Sequence, residues 1–255
     1  SSLDISSGIL HTARQGLAAR GSWATDIPQC SQLFRMIKLV VFDWNGVLIA
    51  DAGICATSVS HVLESLGRKP ISVGTFRKVF SLPSSNIYRS QGFTEEEIAK
   101  YANIIQERFH ADYEPRATKV RTRHGARELL NFLFGREIEC IILSGHSIEG
   151  VESQLKRLRL RKYFSNVFAN DIYGAIRGKN KLEKLERFLS QRSFNKNEVL
   201  IIGDSTEETE AGKHLGIHTV AITGGYVSTL RLKKIHPDYL IGNLNQLVGI
   251  IEKLR

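Results

Sequence analysis

From residue 36 onward, short apolar runs alternate with segments whose apolar residues recur every three to four positions. The runs are uninterrupted, which is typical of strands buried on both faces of a parallel sheet. They predict six strands: Ile37–Phe42, Ile138–Leu143, Val167–Ala169, Val199–Gly203, Thr219–Thr223 and Tyr239–Ile241. The periodic segments predict the helices Gly125–Phe134, Ile148–Leu160, Leu182–Leu189, Thr206–Leu215 and Leu244–Leu254. Strands that alternate with helices of this size predict an α/β fold with a doubly wound parallel sheet.

One stretch, residues 51–119, breaks this rhythm and shows helical patterns only. The predicted helices are Ile54–Leu66, Val73–Phe80 and Thr94–Tyr113, the last opened by a capping pattern, Thr94-Glu95-Glu96-Glu97. An insertion directly after the first strand would lie over the carboxyl edge of the sheet, where it can exclude water and select a substrate. We therefore expect a core of residues 36–50 and 120–255 and a helical cap of residues 51–119.

Residues 1–35 differ from the rest of the chain. They are rich in Ser, Gly and Ala, contain only Asp4 and Asp26 as acids, and show no sustained periodicity. The single methionine, Met36, stands immediately before the first predicted strand. We expect the folded protein to begin there, after an extension that is disordered or non-native. A basic, Ser-rich targeting segment is the alternative.

Composition favours an ordinary globular protein of the cytoplasm. Hydrophobic residues make up 42% of the chain and charged residues 24%. No apolar stretch approaches the roughly 18 residues that a membrane span needs, which excludes a membrane partner. The cysteines Cys30, Cys55 and Cys140 lack paired spacing, so we expect reduced thiols rather than disulfides or a zinc site.

The net charge of +9 raises the question of nucleic-acid binding. The densest basic run, residues 156–162, closes the predicted helix Ile148–Leu160, where cations favour the negative end of the helix dipole. Aromatic residues suited to base stacking are not interleaved with it, and the sequence lacks helix-turn-helix and zinc-finger patterns. A solvated basic face is therefore favoured, and its positive potential would draw anionic substrates.

Two predicted strands each deliver a carboxylate to the same edge of the sheet. Asp43 follows the first strand and Asp204 follows the strand Val199–Gly203. Open α/β sheets bind their ligands at this edge. A carboxylate can attack phosphorus when a hard, oxygen-liganded cation such as Mg²⁺ offsets its charge. The pair of acid-terminated strands therefore indicates a divalent-metal site for phosphate chemistry.

Donors for the oxygens of a phosphoryl group follow at two further places. Ser144-Gly145 comes after the second strand, and Lys179 and Lys181 precede or open a helix. A hydroxyl, a backbone N–H and an ammonium are the groups that stabilise a phosphoryl group in transfer. Each of these features is common in isolation, and their order on one sheet makes the combination specific.

In these motifs the sequence from residue 36 to 255 resembles the haloacid dehalogenase superfamily, in its phosphoglycolate-phosphatase-like branch with a helical cap. The first motif is Asp43-Trp44-Asn45-Gly46-Val47-Leu48 and the last is Gly203-Asp204-Ser205-Thr206-Glu207-Glu208. The resemblance implies that Asp43 is the nucleophile, becomes an aspartyl-phosphate and binds Mg²⁺. It implies as further ligands the backbone carbonyl of Asn45, Asp204 and Glu208, the last directly or through water.

The resemblance also assigns the phosphate-binding groups. Ser144, with Gly145 beside it, would hold the phosphoryl group, and Lys181 would balance its charge, with Lys179 as the alternative. The implied function is a Mg²⁺-dependent phosphatase acting on a small phosphorylated metabolite. Nothing in the sequence indicates an oligomeric state.

Substrate selection would come from the cap. The segment Phe80–Arg89 is a plausible specificity element, in which Arg89, or Arg77 just before it, would pair with a second anionic group of the substrate. His61 is expected to be packed or exposed on a cap helix. His146 follows the Ser144-Gly145 pair and is expected to line the pocket.

Two positions depart from the family pattern. Glu208 stands where the family usually has Asp, and Asn45 replaces the acid that protonates the leaving group and then activates water. An amide can do neither, and general acid–base assistance is worth about 10²–10⁴-fold. A low-turnover module that binds phosphate or a phosphoprotein is therefore an alternative. A metal-free dehalogenase is a third, against which the retention of Asp204 argues.

Overall fold

The computed structural model describes residues 36–170 and 181–254, and a parallel sheet forms its centre. The strands are β1 (Leu39–Phe42), β2 (Glu139–Ser147), β3 (Asn166–Asn170), β4 (Val199–Gly203), β5 (His218–Ile222) and β6 (Tyr239–Ile241). Their order is β3-β2-β1-β4-β5-β6, and every pairing is parallel. The chain first builds outward from β1 to one side and then crosses to the other. The predicted doubly wound sheet is confirmed.

Within residues 51–119, the predicted cap, the chain is helical. The helices are α1 (Ala52–Ser65), α2 (Val73–Val79), α3 (Ser85–Ser90) and α4 (Glu95–Ala117). The predicted capping box at the N-terminus of α4 is present. Thr94 Oγ1 accepts from the Glu97 backbone N–H at 3.2 Å, and the Glu97 carboxylate accepts from the Thr94 N–H at 2.9 Å. The short helix α3 was not predicted, because fewer than two turns carry too little periodicity to be recognised.

Six α-helices follow in the remainder of the described chain. They are α5 (Ala126–Gly135), α6 (Ile148–Leu158), α7 (Lys181–Ser190), α8 (Thr206–Leu215), α9 (Thr229–Lys234) and α10 (Asn245–Lys253). In neither described range is any helix both long enough and apolar enough to cross a bilayer.

The central strand β1 explains the uninterrupted apolar run. Val40 and Phe42 pack into one cluster with residues of α5, α6 and α10, whereas Leu39 and Val41 pack into a second cluster with residues of α7. All four side chains are fully buried. Alternate residues of a strand point to opposite faces, so burial of both faces requires every position to be apolar.

Strand β2 is longer than predicted. It ends at Ser147 rather than Leu143, so Ser144 and Gly145 lie within the strand and not in a turn after it. Its pairing with β3 changes register between Leu143 and Ser147, and Asn170 Nδ2 donates to the Gly145 carbonyl at 2.8 Å. Such irregularities re-aim the backbone next to a site.

The cap helices contact the sheet edge through arginines. Arg77 of α2 donates from Nε to the Gly225 carbonyl and from Nη2 to the Gly224 carbonyl, both at 2.8 Å. Arg231 of α9 donates to the carbonyl of Phe80 and, at 3.2 Å, to that of Lys78. These charge-assisted bonds hold α2 against the loop that follows β5.

Candidate active site

Asp43 and Asp204 meet because β1 and β4 are neighbours. Phe42 lies opposite Ile202 in the parallel ladder, and the Asp43 N–H donates to the Ile202 carbonyl at 3.0 Å. The next residues along both strands therefore share the carboxyl edge of the sheet. Asp43 and Asp204 are 7% and 2% exposed, so two carboxylates are largely shielded from water at one point.

Lys181 joins this pair from the first turn of α7. Its Nζ lies 2.9 Å from Asp43 Oδ1 and 2.5 Å from Glu208 Oε1. The lysine is itself 5% exposed. The structure thus brings Lys181 to the predicted nucleophile, whereas the alternative, Lys179, lies outside the described residues.

The site has more buried negative charge than positive. Burial raises the pKa of Asp43 to about 7, an effect that Lys181 opposes and Glu208 reinforces. Burial, and then the charges of Asp43 and Glu208, raise the pKa of Asp204 well above its ordinary value. Burial alone would lower the pKa of Lys181, but the carboxylates of Asp43 and Glu208 raise it above its ordinary value. Several buried carboxylates, Glu207 among them, lie around one ammonium and form a setting that a divalent cation would neutralise.

The donor set fits Mg²⁺ as a partly open site. Proteins commonly hold this ion with one or two carboxylates, while water and substrate phosphate oxygens complete its shell. Asp43 and Asp204 supply two such carboxylates. Within residues 36–170 and 181–254, no group of three or more Asp, Glu, His or Cys side chains is placed to hold a metal ion by itself.

Glu208, predicted to bind the metal directly or through water, is held by two neighbouring residues. Oε1 is bound by Lys181, and Oε2 accepts from the Ser205 hydroxyl at 2.7 Å and the Ser205 N–H at 3.3 Å. Although burial acts to raise the pKa of Glu208, Lys181 and then Ser205 hold it below its usual value. The carboxylate thus caps its own helix and fixes the lysine, and metal binding by Glu208, directly or through water, stays a prediction.

The Asp204 carboxylate is bound by a backbone N–H and lies in a space that two glycines leave open. Its Oδ2 accepts from the Tyr226 N–H at 2.6 Å. A Cβ atom built on Gly46 or on Gly225 would lie 1.9 Å from the same oxygen. Gly46 also has φ +71, a left-handed conformation that favours glycine. The carboxylate therefore needs both residues to lack a side chain.

Gly46→Ala is expected to destabilise the protein by about 1–3 kcal/mol more than Gly67→Ala, because only the first adds a clash to backbone strain. Gly67 is the matched control, since it has φ +74 but no atom within 4 Å of a built Cβ. The free energies of unfolding of both variants in urea measure the difference. Equal losses would mean that the Asp204 carboxylate moves aside without cost.

Ser144 lies close to the cavity without lining it. Its side chain is fully buried, and Oγ accepts from the His146 N–H at 3.1 Å. Gly145 and His146 are the residues of this segment that line the cavity. The expectation for His146 therefore agrees with the structure, and phosphate binding by the Ser144 hydroxyl stays a prediction.

Sequence reasoning missed a hydrogen-bond centre at Asp51. Asp51 Oδ2 accepts from Asn45 Nδ2 at 2.7 Å and from the hydroxyls of Tyr113 and Tyr226, both at 2.6 Å. Oδ1 accepts from the Gly46 N–H at 2.8 Å. Asn45 Nδ2 also donates to Tyr113 Oη at 3.0 Å, so both of its protons are committed. The site thus has a buried carboxylate beside the position where the family acid is missing.

Neither arginine predicted to bind a second anionic group of the substrate lines the cavity. Arg89 lies on the outer side of α3, where its guanidinium binds Glu95 at 2.5 and 2.8 Å and its side chain is 39% exposed. Arg77 is used in the contacts with Gly224 and Gly225. His61 pairs with Asp112 at 3.0 Å and is 44% exposed, as expected for a residue outside the pocket.

A cavity of about 200 Å³ links the carboxylates to the interior of the cap. On the sheet side it is lined by residues that include Asp43, Asn45, Lys181 and Asp204. On the cap side it is lined by residues of α1, α3 and α4 and of the segment before α3. The predicted segment 80–89 does contribute, through Phe80, Leu82, Ser84, Ile87 and Tyr88.

Comparisons with known proteins agree with this geometry. The sequence model of a family described as haloacid dehalogenase-like hydrolase matches residues 40–222. The chain is 28% identical over 232 residues to phosphoglycolate phosphatase of Pseudomonas fluorescens, covering 87% of this chain and 83% of that protein. It is 21% identical over 226 residues to pyrophosphatase PpaX of Oceanobacillus iheyensis, covering 84% and 97%. A crystal structure of a predicted phosphatase from Clostridium acetobutylicum matches with a TM-score of 0.71 at 16% identity, covering 86% and 99%, which shows the shared fold.

Proposed function

Since the chain belongs to the haloacid dehalogenase-like hydrolase family, we propose that it is a Mg²⁺-dependent phosphatase that hydrolyses a small phosphomonoester through an aspartyl-phosphate at Asp43. The observation that carries the proposal is the buried contact of 2.9 Å between Asp43 and Lys181, with Asp204 at the neighbouring strand end. The phosphatase names of the relatives support the reaction class.

In the proposed first step, a carboxylate oxygen of Asp43 attacks phosphorus, and the bond between phosphorus and the ester oxygen breaks. The leaving alkoxide takes up a proton from water and departs as the alcohol, and the phosphoryl group stays on Asp43. Water then attacks the phosphorus, which releases inorganic phosphate and restores the carboxylate. Lys181 offsets the negative charge of the phosphoryl oxygens throughout. Asp43, Asp204 and the backbone carbonyl of Asn45, with Glu208 directly or through water, would hold Mg²⁺, which would supply further charge neutralisation.

The proposed reaction lacks an efficient donor for the proton that the leaving group needs. Asn45 cannot deliver one, and its amide is fixed by Asp51 and Tyr113. Burial, and then the charge of Asp51, raise the pKa of Tyr113 well above its ordinary value, so this hydroxyl stays protonated but is a poor acid. We therefore expect slow turnover. A phosphate-binding module with little turnover is the second candidate function that this observation favours.

Asn45→Asp alone is expected to raise kcat less than tenfold, whereas Asn45→Asp combined with Asp51→Asn is expected to raise it by about 10²-fold. In the single variant the new carboxylate would lie at hydrogen-bond distance from Asp51, and two such carboxylates retain one proton between them. The double variant removes this competition and frees the acid for the leaving group.

Steady-state kcat of the two variants and of Asp51→Asn, which should show no gain, checks this prediction. A full gain from Asn45→Asp alone would show that Asp51 does not hold the proton. No gain from either would mean that another group already supplies it.

Phosphate release from a panel of small phosphomonoesters, with and without Mg²⁺, tests the proposed function. A phosphatase releases phosphate from at least one ester only when Mg²⁺ is present. Mg²⁺-dependent binding of inorganic phosphate without hydrolysis of any ester would favour the binding module instead.

A further inference from the structure

The cavity above Asp43 extends into the apolar interior of the cap. Cys55 and Val59 lie one turn apart on α1, and Ile105, Phe109 and Tyr113 lie at successive turns of α4. Residues four apart share one face of a helix, so each helix turns an apolar stripe toward the space. The same residues form part of the hydrophobic cluster of the cap. The cavity is therefore an opening in a hydrophobic core rather than a groove on a polar surface.

The described cap residues that line the cavity include neither lysine nor arginine. The arginines in and beside the segment 80–89 are committed elsewhere: Arg89 to Glu95, and Arg77 and Arg231 to backbone carbonyls. The histidine of α4 in the lining, His110, lies 3.2 Å from Glu114 Oε1. Ser84 and Gln106 also line the cap side of the cavity but carry no charge. A carboxylate on the leaving group would thus enter largely apolar surroundings without a lysine or arginine among the described cap residues of the lining, and an ion without a paired partner is strongly disfavoured there.

The volume of the cavity indicates the size of the group it accepts. About 200 Å³ is available. A dry apolar cavity of roughly 150 Å³ in another protein holds a benzene molecule. The space therefore suits a phosphoryl group at Asp43 together with an apolar group of about the size of a benzene ring or a short branched alkyl chain.

We propose, on the basis of the phosphatase function above, that the substrate is the phosphate monoester of an apolar alcohol or phenol, with its apolar group seated among Val59, Ile87, Ile105 and Phe109. A phosphorylated carboxylic acid such as phosphoglycolate is then a poor substrate. The specificity comes from the cap, and the reaction at Asp43 is the same for both kinds of ester.

The test compares kcat/KM for isobutyl phosphate, benzyl phosphate and 2-phosphoglycolate. Isobutyl phosphate has the shape of phosphoglycolate, with two methyl groups in place of the two carboxylate oxygens. We expect its kcat/KM to exceed that of phosphoglycolate by at least about tenfold, with benzyl phosphate at least as good. A higher kcat/KM for phosphoglycolate would overturn the proposal.

Matched variants locate the preference in the cap. Ile105→Arg puts a cation into the cavity and should shift the ratio of kcat/KM values toward phosphoglycolate by about tenfold or more. Ile104→Arg, on the same helix but 36% exposed, should leave the ratio unchanged. If Ile105→Arg does not fold, Phe109→Ala replaces it and should lower the ratio of benzyl phosphate to phosphoglycolate. An unchanged ratio in the folded variant would overturn the placement of the apolar group.

Binding of two phosphonates separates this proposal from the phosphatase function. If no ester is hydrolysed with Mg²⁺, the phosphatase function fails, and calorimetry with benzylphosphonate and phosphonoacetate decides the remaining question. Tighter binding of benzylphosphonate supports the apolar site. Tighter binding of phosphonoacetate, or no binding of either, overturns it.

Discussion

Asp43→Asn is expected to lower kcat/KM for phosphate release by on the order of 10⁴-fold or more, because the variant lacks the nucleophile of the first step. The amide keeps the size of the side chain but cannot attack phosphorus or be regenerated by hydrolysis. Asp238→Asn is the control, since Asp238 precedes β6 at the opposite edge of the sheet and binds Thr219 there. It should retain the activity of the unaltered protein.

Asp43→Asn should also be more stable than the unaltered protein when metal is absent. The pKa of Asp43 is raised to about 7, so the folded state binds more protons than the unfolded state between about pH 4 and 7. Stability from this group therefore falls as the pH rises through that window. Asp43→Asn removes this loss of stability. Its free energy of unfolding should exceed that of the unaltered protein by a few kcal/mol near pH 8, and the difference should vanish below about pH 4.

These two readouts distinguish a lost nucleophile from a misfolded protein. Loss of activity with equal or higher stability near pH 8 agrees with the proposed role of Asp43. Unchanged activity would remove Asp43 from the mechanism, and lower stability at that pH would show that its charge is well compensated without a metal.

Lys181→Met is expected to destabilise the metal-free protein by about 3–5 kcal/mol near pH 8, because it leaves buried carboxylates without their cation. Since the pKa of Lys181 is raised in the folded protein, its contribution is fully present below the ordinary lysine pKa and is lost only at higher pH. The loss should shrink near pH 5, where Asp43 and Asp204, whose pKa values are raised, take up protons.

Urea unfolding at the two pH values measures this effect, with Lys253→Met, an exposed lysine of α10, as the control. Lys181→Met should also slow phosphate release by about 10²–10³-fold, since one preorganised donor to the phosphoryl oxygens is gone. A loss of stability that is equal at both pH values would mean that the lysine acts by packing and not by charge.

The sequence predicted the core of the site because strand topology decides it. Asp43 and Asp204 each follow a buried strand, and a doubly wound sheet places such ends on one edge. Lys181 was the preferred lysine because Leu185 and Phe188 follow it at helical spacing, and both are buried in α7. Periodicity and chain order were sufficient for these residues.

The remainder of the site depends on contacts that local pattern does not encode. Asp51 meets Tyr113 and Tyr226 across 62 and 175 residues, and no spacing rule connects them. Arg89 follows two buried residues, Ile87 and Tyr88, and the helix α3 turns it outward. Because α3 was not predicted, the sequence analysis expected the Arg89 guanidinium at the substrate, whereas the structure places it on the outer side of α3.

The role of Glu208 was present in the sequence as a second pattern. Ser205 and Glu208 have the spacing of a capping box, in which the acid binds back to the first residue of the helix. The structure contains this box, and it occupies Oε2 of Glu208. The capping role of Glu208 is therefore observed, whereas its role toward a metal stays a prediction.

Mass spectrometry of the protein, acid-quenched during a single turnover of benzyl phosphate with Mg²⁺, tests the central proposal most directly. We predict the mass of one phosphoryl group on the peptide that contains Asp43, removable by mild base and missing when Mg²⁺ is withheld. Release of phosphate at the full rate while Asp43 stays unmodified at every quench time, together with undiminished turnover by Asp43→Asn, would contradict it.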